Sequence, residues 1–346
     1  MTALVKGEGR SIMTKGIAGA IGMALLASVA SAPANAQSVE FKTVNIVVGF
    51  SPGGGYDAYA RVLARHYGRN LAGNPNIVVQ NMAGASSLKS VQYLDGTAAT
   101  DGSVMTAFNP GLITESLLDP DKIKMKFSDV AWVGSITRDY RVCYAWHATG
   151  IKTWADLMNY ARFNIGAPAA GTSTYINAAV LKNLYGVKIH HVTGYPGSAE
   201  ERLAVERGEL DGGCGAWSSN PSDWIVNNKI NPIVSFSPVP TPNLTGAVPF
   251  AGDLLKIAED KSLLDILIAA DALGRPFIVS KKVPAARLAA LRAGFDATMK
   301  DGQFLAETAK LDLIVEPING AESEKIIAAI YAAPATLVAR AKDIVK

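Results

Sequence analysis

The sequence predicts an α/β protein of two lobes with mostly parallel sheets, on three observations. From Val44 onward, short apolar runs rich in Val and Ile alternate with stretches of helical period. Strand followed by helix, many times over, is how parallel strands are joined. The chain has 346 residues, 49% of them hydrophobic and 18% charged, enough for a large core and too many for one ordinary domain.

The first 36 residues stand apart. Lys6, Arg10 and Lys15 form a basic leader, residues 17–30 are apolar, and the small residues Ala34 and Ala36 precede Gln37. This is the pattern of a secretory signal cleaved near Ala36, and the apolar run is short for a membrane span. Cleavage would leave 346 − 36 = 310 residues. The leader holds three basic residues and one acidic one, Glu8, so the formal charge falls from +3 to 3 − 2 = +1. A near-neutral chain offers no basic field to nucleic acid.

Strands are expected at VNIVVGF, NIVVQN, SVMTAFN, AWVGSIT, VCYAWH, NIGAP, KIHHVTG, LDGGCGA and NPIVSFS, each bounded by Gly, Pro or Asn. Between them, helices are expected over residues 56–71, 153–163, 172–185 and 198–207. Residues 251–346 read as mostly helical, with RPFIVS and LDLIVEP as the remaining strands. This pattern puts one lobe in residues 37–135 plus 247–346 and the other in 136–246. In an exported chain the only cysteines, Cys143 and Cys214, are a candidate disulfide, with two buried thiols as the alternative. No C-x-x-C is present, so no zinc or other metal site is expected.

The stretch FSPGGGYDAY joins the first strand to an amphipathic helix. Ala60, Leu63, Ala64, Tyr67 and Leu71 share one face of that helix, and Arg61, Arg65 and Arg69 the other. The spacing is neither a P-loop nor a dinucleotide fingerprint, so no nucleotide cofactor is expected. A glycine turn that opens a helix can simply be a tight corner, but it also leaves backbone N–H groups free beyond a strand's carboxyl end, where a carboxylate can lie. Asp57 fits this poorly, because its charge repels an anion; either it turns into the loop as a cap or water separates it from the ligand. Gly84 and Ser86, Asn109 with Gly111, and Gly171, Thr172, Ser173 and Thr174 form similar turns at other expected strand ends.

VNIVVGFSPGGGYDAYARVLARHYGRNLAGNPNIVVQNMAGAS resembles the start of the periplasmic receptors of tripartite tricarboxylate transporters, also called Bug receptors. Their usual pattern is an apolar strand, F-A-P-G-G-G-T-D, a helix, then V-V-V-E-N-R-P-G-A-G-G. The likeness runs on through ATDGSVMTAFN, KTWADLMNYAR, GTSTYINAAVLKNLYGVKIHHVTGYPGSAEERLAVERGELDG and PFIVSKKVPAARLAALRAGFDATMKD. It implies a two-lobed periplasmic-binding-protein (Venus-flytrap) fold, monomeric and without cofactor or catalysis. Such a receptor sits in the periplasm, closes on a small organic carboxylate and delivers it to integral-membrane permease subunits. Carried over, the grip would consist of Ser51, Gly53, Gly54, Gly55, Tyr56 and Asp57 with Gly171, Thr172, Ser173 and Thr174.

Three departures bear on the ligand. Tyr56 replaces the usual threonine, Met82 and Ala83 replace Arg-Pro, and GGCGAWSSN brings Trp217, Ser218 and Ser219 toward the cleft. Rings at Tyr56 and Trp217 point to a larger or aromatic acid over a short aliphatic diacid, unless they pack across the hinge. Arg138, Arg141 and Arg275, near the expected crossovers, would reach a carboxylate or tie the lobes together.

Two other functions fit less well. A receptor of the same fold could signal to a membrane sensor. An exported enzyme would need a nucleophile such as Ser51, Ser86 or Ser173 with a base among His66, His147, His190 and His191. None of these serines has a G-x-S-x-G setting, and His190 and His191 point to opposite faces of a strand.

Overall fold

The computed structural model describes residues 39–346; the leader and the cleavage point near Ala36 lie outside the described residues. Among the described residues, eleven strands form two sheets. The first holds β1 (Thr43–Val48), β2 (Asn76–Asn81), β3 (Val104–Ala107) and β4 (Val130–Ser135). The second holds β5 (Arg141–Trp146), β6 (Phe163–Ala167), β7 (Ile189–Thr193), β8 (Gly212–Ala216) and β9 (Ile230–Ser235). The chain then returns to the first sheet as β10 (Pro276–Ser280) and β11 (Ile318–Asn319). The orders are β11-β4-β10-β3-β1-β2 and β7-β6-β8-β5-β9.

The two-sheet α/β architecture matches the sequence reading, but the sheets are mixed rather than mostly parallel. β2, β1 and β3 run parallel, as do β7, β6 and β8, because local helices connect them. β10 is antiparallel to β3 and β4, and β5 is antiparallel to β8 and β9. Both β5 and β10 enter a sheet directly from the crossover, so they run against the strands that end there. LDLIVEP differs too. Asp312 takes a positive φ and residues 313–317 form no strand, although Glu316 N donates to Ile136 O, so only Ile318–Asn319 pair with β4.

Side chains alternate along the strands, so each sheet buries both faces. Ile46 and Val48 join one core cluster and Val47 the other. Cys143 and Ala145 likewise face away from Val142 and Tyr144. The helices following the strands include α1 (Gly55–Tyr67), α2 (Leu88–Gly96), α3 (Gly111–Leu118), α4 (Trp154–Asn159), α5 (Ser173–Tyr185) and α6 (Ser198–Glu206). α1 buries Tyr59, Val62, Leu63 and Tyr67, and each aliphatic side chain so buried contributes about 1.5–3 kcal/mol. Outward, Arg65 pairs with Glu307 and Arg69 with Asp301.

The later helices divide between the sheets. Leu263, Leu264, Leu267 and Ala341, from Ala258–Ile268 and Ala335–Ile344, are buried with Phe163, Ile165 and Ile176 of the second sheet's core. This packing differs from the expectation that residues 247–346 all return to the first lobe. Among the described residues no helix is long and apolar enough to cross a membrane, and no cluster of three His, Cys, Asp or Glu could hold a metal.

Candidate functional site

The loops beyond the carboxyl ends of the two sheets enclose a cleft with about 60 Å³ for the centres of water-sized atoms. Gly54, Gly55, Tyr56 and Asn109 line it from the first sheet, and Arg141, Tyr144, Thr174, Ser198, Glu201 and Arg202 from the second. Hydrogen bonds hold the sides together. Asn109 Oδ1 accepts from Ser173 N at 3.1 Å, Ser51 Oγ donates to Glu200 Oε2 at 2.9 Å, and Arg202 Nη2 donates to Gly53 O at 3.1 Å.

The three glycines serve different needs. Gly53 takes φ +83°, a conformation that a side chain disfavours. At Gly55 a Cβ would stand 2.2 Å from Ser219 Oγ, so a bare backbone is what lets the second sheet's loop approach. Asp57 is turned into the loop. Its Oδ2 accepts from Gly53 N and Arg61 Nε, both at 2.9 Å, and its Oδ1 accepts from Asn81 Nδ2 at 2.9 Å. Burial alone would raise its pKa, but the bonds from Arg61, Gly53 and Asn81 outweigh burial and hold it below the usual carboxylate range. With Asp57 spent on Gly53, no side chain caps the N-terminus of α1. Its first-turn amides carry the positive end of the helix toward the cleft.

Tyr56 stacks on Phe50 with centroids 4.9 Å apart, and the Arg275 guanidinium lies 4.6 Å from its ring centre. Asn109 Nδ2 donates to its hydroxyl at 3.2 Å. Burial pushes the phenol's pKa well up, with Asp139 adding to the effect. The ring is thus a fixed wall of the cleft. Trp217 is not: it lies 3% exposed in the second sheet's core with its Nε1 unpartnered. Tyr144 provides the second aromatic wall instead.

Behind the cleft, Asp139 bridges two arginines. Arg141 Nη1 donates to Asp139 Oδ2 at 2.6 Å and Arg275 Nη1 to Asp139 Oδ1 at 3.3 Å. Arg141 Nη2 also donates to Thr174 Oγ1, and Arg275 Nη2 to Ser219 Oγ. The two arginines therefore tie the sheets together, and Arg141 also reaches the cleft wall. Arg138 lies on a separate surface with Asp265 and Asp271. Burial raises the Asp271 carboxyl well above its usual range against the pull of Arg141.

The remaining expected residues serve neighbouring turns. Thr172 Oγ1 caps its own helix by accepting from Tyr175 N, and Ser173 is spent on Asn109. Gly171 has φ +88° with the Glu115 carboxylate against it. Gly84 and Ser86 sit in the turn after β2, away from the cleft lining, with Ala85, Ser86 and Ser87 all at positive φ. Cys143 and Cys214 stand opposite each other on β5 and β8 and are joined as a disulfide. Ser198, Glu201 and Arg202 were not anticipated. The signal was present in PGSAEER, another glycine-serine turn opening a helix, and α6 has no side-chain cap. None of the four histidines lines the cleft.

The fold recurs in solved periplasmic binding proteins. BugD is 18% identical, with a TM-score of 0.71 over 88% of this chain and 98% of its own. MatC from Rhodopseudomonas palustris, solved with malate, is 17% identical with a TM-score of 0.70 over 89% of this chain and 100% of its own. A TctC solute-binding protein from Polaromonas is 16% identical with a TM-score of 0.59 over 88% and 97%. In sequence, a UPF0065 protein from the gbd 5' region of Cupriavidus necator is 25% identical over 193 residues, 53% of this chain and 56% of that protein. A UPF0065 protein of Bordetella pertussis is 23% identical over 189 residues, 53% and 57%. The chain spans about half the length of the curated relatives it matches. No protein-family model matches the chain. It has the two-lobed periplasmic-binding-protein fold, and the solved structures that share it include BugD and a TctC solute-binding protein.

Proposed function

We propose that the chain is a periplasmic solute receptor of the tripartite tricarboxylate type, which captures a small organic carboxylate between its lobes and delivers it to integral-membrane permease subunits. The observation that carries this reading is the convergence on one cleft of the N-termini of α1 and α6, neither capped by a side chain, with Arg141 and Arg202. Free amides and guanidinium groups recognise carboxylate oxygens. Each hydrogen bond to a charged group is worth about 1.5–3 kcal/mol, and three or four, less the cost of association, give about −8 kcal/mol, a micromolar affinity. Two relatives of the same fold, both from Rhodopseudomonas palustris, were solved with malate and with adipate, which is consistent with this ligand class. Closure turns about the crossovers near residues 136–140 and 271–275, and the receptor works as a monomer without catalysis.

A thermal-shift screen of the mature protein against aliphatic, aromatic and amino-bearing acids tests the reading. A ligand at 100 times its dissociation constant adds about 2.7 kcal/mol of stability, a readily measured shift. The reading fails if sugars, amines or metal ions raise the melting temperature and no carboxylate does.

A further inference from the structure

Three charged side chains line the cleft, and two are already engaged. Arg141 is bonded to Asp139, Thr174 and the Cys214 carbonyl. Arg202 donates to Ser198, Ser219 O and Gly53 O. The half-buried Glu201 lines the same cleft, and its carboxylate makes no hydrogen bond or ion pair among the described residues, its backbone N alone donating to Gly197 O. Its place in the first turn of α6 suits an acid, but Glu200 beside it supplies that charge too and is bonded to Ser51. The cleft thus presents one half-buried carboxylate with no direct partner, which a donor on an enclosed ligand would satisfy.

We infer that the cleft takes a zwitterionic carboxylate, an amino acid in chemical class, whose carboxylate meets the N-terminus of α1 and whose ammonium group is received by Glu201. This inference rests on the carboxylate-receptor reading above and narrows its ligand. A plain diacid would set a second negative charge beside Glu201, and a hydroxy acid would supply a hydrogen bond without the counter-charge. The groups facing Glu201 are Arg141 and Tyr144 of β5, Arg202 and Glu200 of α6, and Tyr195 in the loop before it. Burial pushes the Glu201 carboxyl up to about 7, opposed by Arg141 and Arg202. An arriving ammonium group reverses that push, so amino-acid binding near pH 7 releases protons from Glu201, whereas binding of a plain acid takes them up.

Calorimetry of the mature protein near pH 7, in buffers of different ionisation enthalpy, tests this with matched probes: alanine against lactate and propionate, aspartate against malate and succinate, glutamate against glutarate. The expected result is an amino acid bound at least tenfold more tightly than its amine-free counterparts, with proton release. Glu201→Gln should abolish that preference by weakening the amino acid at least tenfold while leaving the plain acid no weaker. A plain or hydroxy acid bound as tightly as its amino counterpart, or with an unchanged preference in Glu201→Gln, overturns the inference and leaves the carboxylate receptor standing. If no acid of any kind binds, both readings fall. The wild-type comparison stands even if the variant does not fold.

Discussion

Replacing Gly55 by Ala tests how the cleft closes. Gly55 is the first residue of α1 and is not at positive φ, so the substitution itself favours the helix, by up to about 1 kcal/mol. The added Cβ would lie 2.2 Å from Ser219 Oγ and 3.2 Å from both Ser219 Cβ and Arg275 Nη2. Ser219 Oγ is the acceptor for Arg275 Nη2 at 3.1 Å, a bond that spans the two sheets. Closure in the variant must therefore turn the hydroxyl away and lose a hydrogen bond to a charged donor, about 1.5–3 kcal/mol. At about 1.4 kcal/mol per tenfold, Gly55→Ala should weaken binding of the tightest acid roughly ten- to hundredfold. The melting temperature without ligand should stay level or rise. Titration calorimetry gives the first quantity and a thermal melt the second. In a Ser219→Gly background the same substitution should cost little, a non-additivity that ties the loss to this contact. Wild-type affinity in Gly55→Ala would refute the argument, as would an unliganded melting temperature that falls in step with affinity.

Other consequences can be checked by denaturation. The Cys143–Cys214 bond closes a loop with a sequence separation of 71, for which the chain-entropy estimate is about 4 kcal/mol. Verified reduction should lower the urea midpoint by a matching amount, and an unchanged midpoint would count against that role. Asp139→Ala leaves Arg141 and Arg275, 2% and 1% exposed, without their shared carboxylate, and should cost about 3–5 kcal/mol of unfolding free energy; a loss below about 1 kcal/mol would contradict the pairing. Burial, with Lys182 and His190 adding, lowers the His191 pKa to about 4, and its buried Nδ1 has no partner. Since the folded value lies below the unfolded one, about 6.5, this contribution is full above pH 6.5 and is lost as pH falls toward 4. His191→Gln should flatten the stability curve across that window, and an identical slope in the variant would exclude His191 as its source.

The fold was legible where a local pattern had a single physical solution. The Val-Ile runs of β1 and β2 admit little else and appear within a residue or two, and the amphipathic period gives α1, which ends at Tyr67, four residues before the expected end, and passes into a 3-10 turn over Gly68–Asn70. What stayed hidden depends on partners distant in the chain. Residues 258–268 and 335–344 each show an apolar face, but nothing local says which sheet covers it. LDLIVEP has strand composition, but it meets β4 only at that strand's last residues, Gly134 and Ser135, and so pairs only through Ile318–Asn319 just beyond it. The same limit applies at the cleft. The glycine turn was readable as a place needing bare backbone, but only the structure separates Gly53, needed for its φ, from Gly55, needed for an approach from the other sheet. Trp217 follows β8 closely enough to suggest the cleft, yet the short turn after Ala216 carries it into the core beside Tyr140 and Val142. Glu201 was not singled out in the sequence, which shows a helix position and not the space in front of it.

The interleaving of the two sheets also sets a timetable for assembly. Thr106 of β3 pairs with Ile278 of β10, 278 − 106 = 172 residues later. The second core draws on Ala341 as well as on Phe163. Neither half can finish its core from its own contiguous stretch of chain, so a fragment ending at residue 331 would leave Leu263, Leu264 and Leu267 without part of their cover. Pairings over such distances form slowly, since the loop entropy is lost before the contacts form. The arrival of residues 335–344 is therefore the last step the second core needs, and everything packed against Ala341 waits for the end of the chain.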